Sequence, residues 1–570
     1  EENYLMQKFI RAVVGTNNID CCARVCHSPT ALGMQRTFGT GAATNSIKDI
    51  KKTDCIMVIG ANPTSGHPVT GAKIRQHALK SKTLIVIDPR ETVLAKLATH
   101  HLQLRPGTNV ALLNMMLYYI MQEKRVAEAF IQERTEGYAD FQKQVQALNI
   151  DELESITGVA KEEVKAAAMA YADANNAMSF HGLGVTEHSQ GTFTVMLIAD
   201  LAMITGNIGR PGVGVNPLRG QNNVQGAADM GCQPHQGAGY YDVTKAENKK
   251  LYEDFYKRDI SSEIGLKIPQ MFDALRAKEL KALWIMGEDV VQTDPNTKQV
   301  MAAMDSAELL VVQELFMTET AKHADVILPG ASFLEKSGTF TNSERRIQKV
   351  NKVVEPLKGC KSDGQIIIDI MNKMGFDQPD YDPATMLEEI SQIVPFFKGV
   401  KWSELGEDGK QWPVLEDGKG TDILHTEQFR NEKGKGKFFY TDWRESNEIV
   451  QNGEKYPFIL TTGRELEHYN CGTMTRRTSN NDLLTEDVLS IHPTDAKAKN
   501  INDGHMVKLS SPRGEVELKA SISEGVKPGV LYTTFHFPEV MLNIITSDEH
   551  DSEAMCPEYK VCSVDVEALV

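Results

Sequence analysis

The first residues able to do chemistry stand close together in Cys21-Cys22-Ala23-Arg24-Val25-Cys26-His27. Sulfurs this near one another suit a soft metal, but an iron–sulfur cluster needs a fourth thiolate, and Cys55, Cys232, Cys360, Cys471, Cys556 and Cys562 are scattered. The same pattern is also that of buried apolar cysteines beside an incidental histidine. A thiolate next to an imidazole would serve a transition-metal site that handles protons, with sulfur holding the metal and His27 accepting a proton near neutral pH.

A second signal is the run from Gly212 to Gly226, GVGVNPLRGQNNVQG, whose glycines and amides prevent an ordinary helix or strand. It carries one cation, Arg219, and a planar guanidinium is a natural partner for a small carboxylate or a phosphate. A plain surface turn is the alternative. Asp88-Pro89-Arg90 closes a strand-like run and suits either a guanine or ribose contact or a routine turn. The sequence contains no G-x-x-x-x-G-K-[ST], no H-E-x-x-H and no C-x-x-C. Gly60-Ala-Asn-Pro-Thr-Ser-Gly66 follows a strand but lacks the G-x-G-x-x-G spacing, so a nicotinamide site is unsupported.

These residues need elements to place them. Tyr4, Leu5, Phe9, Ile10 and Val13 recur at helical spacing over 2–14. The apolar runs Asp54–Gly60 and Thr83–Asp88 flank a helix expected over Thr70–Lys80, which makes a βαβ unit with a parallel sheet. Met178–Val185, Lys281–Gly287, Glu308–Val312 and Asp325–Pro329 repeat the theme, so two α/β layers are expected. Ligands of such sheets sit beyond the carboxyl ends of the strands, here the loops after Gly60, Asp88, Gly184 and Gly287. From about 400 to 455 the composition reads as an exposed connection. Beyond it Phe458–Thr461, His505–Leu509, Gly514–Ala520 and Gly529–Phe535 are short β-rich runs that predict a terminal barrel.

The chain has 570 residues, 41% hydrophobic and 24% charged, with a mean hydropathy of −0.32. That is an ordinary globular balance, neither disordered nor membrane-spanning. Lys and Arg number 61 against 77 Asp and Glu, a net charge of −16 that argues against nucleic acid as the partner. The longest apolar stretch, Val110–Met121, falls short of the about 20 residues of a membrane span and reads as a buried helix. Nine cysteines without regular spacing argue for a reducing, cytoplasmic compartment rather than a disulfide framework. Residue 1 is Glu, and no leader opens the sequence, so an upstream segment with an export signal is left open.

Several long segments together carry a resemblance: ARVCHSP (23–29), VIGANPTSGHP (58–68), IDPRET (87–92), LAMITGNIGRPGVGVNPLRGQNNVQGAADMG (201–231), GEDVVQTDP (287–295), FMTETAKHADVILPG (316–330) and TGRELEHYNCGTMTRR (462–477). Throughout its length the chain resembles the catalytic subunit of molybdenum- or tungsten-dependent formate dehydrogenases, which belong with the dimethyl sulfoxide reductases. The resemblance implies two interleaved α/β domains (22–221; 1–21 with 222–335), a connecting region (336–450) and a barrel that binds molybdopterin dinucleotide (451–570). It implies a bis-molybdopterin guanine dinucleotide cofactor with Mo or W, formate as substrate and carbon dioxide as product.

Position by position, Cys26 matches the metal ligand, His27 the residue that manages the substrate proton, and Arg219 the arginine that orients formate. Gln221 matches a pterin contact. Asn62, Asp88, Arg90, Gly184, Gly287, Asp289, Asp294, Thr462, Arg464, His468 and Tyr469 fall in segments that wrap the dinucleotide arms. Cys21 and Cys22 are not expected to be ligands. Relatives begin with a small domain holding a [4Fe–4S] cluster that passes electrons to a partner subunit or domain, and its counterpart is expected upstream of Glu1. Alternatives are a relative acting on another oxyanion such as nitrate, or a metal-free structural relative like the large subunit of respiratory complex I. The Cys26-His27 pair with Arg219 favours formate.

Overall fold

The computed structural model describes residues 1–569 and divides into two compact units, each assembled from separate stretches of chain. One unit comprises residues 25–218, 292–297 and the described chain from Ile423 onward. Its centre is a five-stranded sheet ordered His100–Leu102, Thr83–Ile87, Cys55–Ile59, Ala177–His181, Gly214–Pro217, with every neighbouring pair parallel. Cys55–Ile59 and Ala177–His181 are buried along their whole length, as expected for strands covered on both faces. The helices Asn109–Gln122 and Gly191–Ile204 are buried on nearly every side and join one face of this sheet in a single apolar cluster.

The strand order reverses between Cys55–Ile59 and Ala177–His181, which pair as Ile59 opposite His181. A crevice at the carboxyl ends of two such strands is where open α/β sheets hold ligands. The apolar run Met178–Val185 is not one strand. It ends at His181, and Leu183–Thr186 forms a short helical turn. The cause is local: the Gly184 amide donates to the Gly60 carbonyl at 2.9 Å and leaves the sheet ladder.

The terminal barrel is closed by six strands in the order Phe458–Thr462, Val530–Thr533, Val488–Ile491, Gly514–Ile522, Met506–Ser511, Cys562–Ala568. Val488–Ile491 and Cys562–Ala568 add to the four runs legible in the sequence. The run expected to reach Phe535 stops at Thr533 because the amides of His536 and Phe537 turn to the Asp487 carboxylate, at 3.3 and 3.2 Å.

The stretch from 400 to 455 is not simply an exposed connection. Its later part inserts Phe429 and Phe438 into the core of this unit, where Phe429 stacks on Phe38 at 5.4 Å and Phe438 lies 4.9 Å from Phe141. Each such side chain taken from water contributes about 2–3 kcal/mol, enough to hold a Gly- and Lys-rich segment in place.

The other unit comprises residues 1–24, 219–291 and 298–422. It contains a parallel sheet ordered Ala282–Met286, Leu309–Glu314, Val326–Pro329, and an antiparallel one ordered Gly338–Thr341, Arg346–Val350, Lys410–Gln411. The helix expected over 2–14 is α-helical for Glu2–Lys8 and widens into a π-helix for Phe9–Val14. This turns Arg11 inward, where it is wholly buried and donates to Asn17 Oδ1, Gln7 Oε1 and the carbonyls of Gly231, Gln233 and Gln236. A buried guanidinium needs that many acceptors, and the widened turn supplies the reach. Trp412, from the 400–455 stretch, is buried here against Phe396 at 4.7 Å.

Candidate functional site

Cys26 and His27 close a turn that runs into the helix Ser28–Phe38, for which His27 is the N-cap and Pro29 lies in the first turn. Proline there lacks only an amide that the helix leaves unused, and the helix dipole favours negative charge beside this end. Cys26 is buried, and its carbonyl accepts a weak bond from the Cys556 thiol at 3.7 Å. His27 is fully buried, with Nε2 3.0 Å from the Leu218 carbonyl and Nδ1 2.9 Å from Thr30 Oγ1. The Thr30 hydroxyl also lies 2.9 Å from His181 Nε2.

At the point where the strand order reverses, backbone meets backbone. Gly60 has φ +55°, and a Cβ on it would fall 2.4 Å from the Gly184 carbonyl carbon. A Cβ on Gly184 would fall 2.7 Å from Gly60 Cα. Asn62 is occupied locally, accepting from Thr64 Oγ1 and donating to Ser65 Oγ in the turn Pro63–Gly66. Asp88 is buried and accepts from the Arg90 amide at 2.9 Å, while the Arg90 guanidinium lies over the Tyr532 ring at 3.6 Å. Burial raises the Asp88 carboxyl above its ordinary value, and the Arg90 cation opposes that.

A buried ion pair not legible in the sequence joins Lys560 to Glu187 at 2.7 Å, and Lys560 Nζ also donates to the Thr462 carbonyl at 2.9 Å. Burial lowers the Lys560 ammonium and pushes the neighbouring His188 down to about 4, with Lys560 adding to the effect on His188. Thr462 Oγ1 further donates to the Tyr559 carbonyl, and Tyr559 donates to the Thr293 carbonyl beside Asp294. Arg464 lies 5.0 Å from the Phe535 ring. His468 is engaged within its own loop, with ring nitrogens on Thr475 Oγ1 and the Leu484 carbonyl, whereas Tyr469 is partly exposed. This unit therefore carries Cys26, His27, Asn62, Asp88, Arg90, Gly184, Asp294, Thr462, Arg464, His468 and Tyr469.

In the other unit Arg219 is buried, and its charge acts on Asp229 and Tyr240. Asp229 is fully buried, with Oδ1 accepting from Gln225 and Tyr240 at 2.7 Å each and Oδ2 from Trp412 Nε1 at 2.8 Å. Burial pushes its carboxyl up to about 6 against the pull of those donors and of Arg219. Gln221 lies in the bend after Arg219. Gly287, φ +64°, ends a strand and has open space where a Cβ would project. Asp289 ties its loop to the start of the short helix Thr320–His323, accepting from the Thr320 amide and hydroxyl at 2.8 and 2.6 Å. Cys21 also belongs to this unit, and burial raises its thiol well above the ordinary value.

The donors fit a dinucleotide-bearing metal cofactor. Cys26 offers one soft ligand, and among the described residues no group of three His, Cys, Asp or Glu side chains is placed to hold a metal ion. Asp88, Arg90 and Arg464 suit guanine and phosphate groups, and the Gly60–Gly184 contact leaves backbone, not side chain, at the crevice.

Comparison with known proteins agrees with this chemistry. Residues 1–373 match the family model described as molybdopterin oxidoreductase, and residues 458–563 match the "Molydopterin dinucleotide binding domain". The chain is 44% identical, over 573 residues, to the F420-dependent formate dehydrogenase subunit alpha of Methanocaldococcus jannaschii, covering 100% of this chain and 84% of that protein. It is 38% identical to formate dehydrogenase H of Escherichia coli, covering 100% of this chain and 80% of that protein. Acetylene hydratase from Pelobacter acetylenicus has the same fold, with a TM-score of 0.78 at 19% identity, covering 100% of this chain and 84% of that one.

Proposed function

Because the chain belongs to the molybdopterin oxidoreductase family, we propose that it is the catalytic subunit of a formate dehydrogenase, oxidising formate to carbon dioxide. The observation that carries this reading is the Cys26-His27 pair, buried at the head of a helix with the imidazole fixed on two sides. Oxidation of formate releases two electrons and one proton. A bis-molybdopterin guanine dinucleotide cofactor, when bound, supplies a molybdenum or tungsten that takes up the electrons, with Cys26 as its protein ligand.

The chain's own residues do the rest. Arg219 binds and orients the formate carboxylate, which is where proximity contributes several kcal/mol. His27 holds the released proton on Nδ1, the ring nitrogen not committed to the Leu218 carbonyl. Asn62, Asp88, Arg90, Gly184, Asp294, Thr462, Arg464, His468 and Tyr469 in one unit, and Gln221, Gly287 and Asp289 in the other, hold the cofactor; His468 does so by shaping its loop and Asp289 by tying its loop to Thr320. A [4Fe–4S] cluster of the whole enzyme would supply the exit for these electrons, toward a separate electron-transfer domain or subunit. No helix among the described residues is long and apolar enough to cross a membrane. The nine cysteines, without the regular spacing of a disulfide framework, fit a reducing, cytoplasmic location.

Metal analysis and formate-driven dye reduction of the holoenzyme test this directly. Molybdenum or tungsten with formate-dependent electron release is the expected outcome. A metal-free protein from cells that make the cofactor, or metal without formate oxidation, would overturn it. Cys26→Ser is expected to abolish turnover while Cys21→Ser leaves it within a few-fold, and equal losses would remove Cys26 as ligand.

A further inference from the structure

With the His27 ring neutral, its hydrogen bonds read in one direction. The Leu218 carbonyl can only accept, so Nε2 of His27 carries a hydrogen and the neutral ring presents a bare Nδ1. Thr30 has one hydroxyl hydrogen, and Nδ1 of His27 lies 2.9 Å away to receive it. That leaves the Thr30 oxygen as an acceptor, and His181 Nε2, also at 2.9 Å, must be its donor. All three side chains are fully buried, and the two imidazoles stand 6.1 Å apart, centre to centre.

Each member is placed by a different part of the unit. Thr30 sits three residues after His27 in the first turn of Ser28–Phe38, where i and i+3 side chains are neighbours. His181 is the last residue of its strand, at the point where the strand order reverses. Leu218 immediately follows the edge strand Gly214–Pro217. Helix and sheet thus grip one imidazole from two sides, in the way that outer partners orient a functional histidine.

We propose that Thr30 and His181 are positioning residues for formate oxidation, holding the neutral His27 ring in place by hydrogen-bonding its bare Nδ1 through the Thr30 hydroxyl. This rests on the formate reading for its kinetic consequence, not for its hydrogen bonds. Thr30→Val keeps size and removes the hydroxyl, and Thr30→Ser keeps the hydroxyl and removes only a methyl group.

The test uses the holoenzyme with ring-15N-labelled histidine, His27 being identified by difference against His27→Asn in magic-angle-spinning NMR. The expected spectrum has a protonated Nε2 and a hydrogen-bonded, bare Nδ1 in the native protein and in Thr30→Ser. In Thr30→Val the Nδ1 resonance is expected to move to that of a bare nitrogen without a donor. Turnover of formate is expected to fall about tenfold or more in Thr30→Val, with KM changed less than about threefold, and to return to within about threefold of native in Thr30→Ser. Thr30→Ala replaces Thr30→Val if the latter does not fold. A native His27 protonated at Nδ1, or a hydroxyl-free variant with unchanged Nδ1 resonance and unchanged turnover, would overturn the proposal. A metal-loaded protein that does not oxidise formate would overturn the functional reading alone, since the nitrogen resonances are read independently of activity.

Discussion

Replacing Gly60 by alanine tests whether the Gly60–Gly184 contact holds the crevice together. Alanine at φ +55° carries the left-handed penalty of about 1–2 kcal/mol. The new methyl would also stand 2.4 Å from the Gly184 carbonyl carbon and 2.7 Å from its oxygen and from the Val185 nitrogen. All three are backbone atoms, so no side chain can swing aside, and parting the strand ends costs a further 1–3 kcal/mol, roughly that of overpacking a core. Gly158→Ala is the internal control, because Gly158 has φ +64° and nothing within 4 Å of its added carbon. It carries the backbone penalty without the collision, partly offset by the entropy that alanine removes from the unfolded chain, about 0.4–1 kcal/mol. In calorimetry of the holoenzyme, Gly158→Ala should lower the main transition by no more than about 1.5 °C and Gly60→Ala by at least twice as much, at about 0.8 °C per kcal/mol for 570 residues. Pterin released on denaturation should fall in Gly60→Ala and stay at the native level in Gly158→Ala. Equal transitions and equal pterin content would refute a structural contact at the reversal point.

Three further outcomes follow from buried charge. Burial raises the Glu558 carboxyl from 4.5 to about 7, so the folded state retains a proton that the unfolded chain has released. Its contribution to stability is complete below about pH 4.5 and is lost as pH rises to about 7; Glu558→Gln should therefore match the native protein at pH 5 and exceed it at pH 8 by up to about 3 kcal/mol in denaturant titrations, and no difference between the two pH values would count against it. Lys560→Met leaves the Glu187 carboxylate buried without its cation and should cost about 3–5 kcal/mol, most of it recovered by adding Glu187→Gln; a double variant as unstable as the single one would contradict the pairing. Arg219→Lys retains the charge and loses the planar fork, so KM for formate should rise about tenfold or more with full metal content, and an unchanged KM would remove Arg219 from substrate binding.

The parts of the fold visible in the sequence were those with local causes. Cys55–Ile59 and Thr83–Ile87 are continuous apolar runs, and the 506–522 pair of strands is set off by its own turn. What escaped reading depended on partners far along the chain. Nothing near Val488–Ile491 announces a barrel strand until Gly514–Ile522 pairs with it. Phe429 and Phe438 sit in a Gly- and Lys-rich segment whose composition looks solvent-exposed, and only Phe38 and Phe141 show why they are buried. The π-turn at Phe9–Val14 is invisible to a 3.6-residue period because the three carbonyls that accept from Arg11 lie more than 200 residues downstream. At the site, Cys26, His27 and Arg219 could be picked out by residue type. Thr30 and His181 could not, being common residues made specific by distances that only folding sets.

The discontinuity of the two units bears on how the chain is made. The unit that holds Cys26 begins at Val25 but lacks Phe429, Phe438 and its barrel until residues 219–422 have been almost entirely synthesised as part of the other unit. At about 5–20 residues per second, a ribosome takes roughly 10–40 s over that interval, long compared with collapse. During it, the apolar faces around Phe38 and Phe141 stand uncovered in the nascent chain. The Cys26 segment therefore lacks Phe429, Phe438 and the barrel until at least residue 423 has been made, so its packing depends on chain synthesised about 200 residues or more after the edge strand Gly214–Pro217.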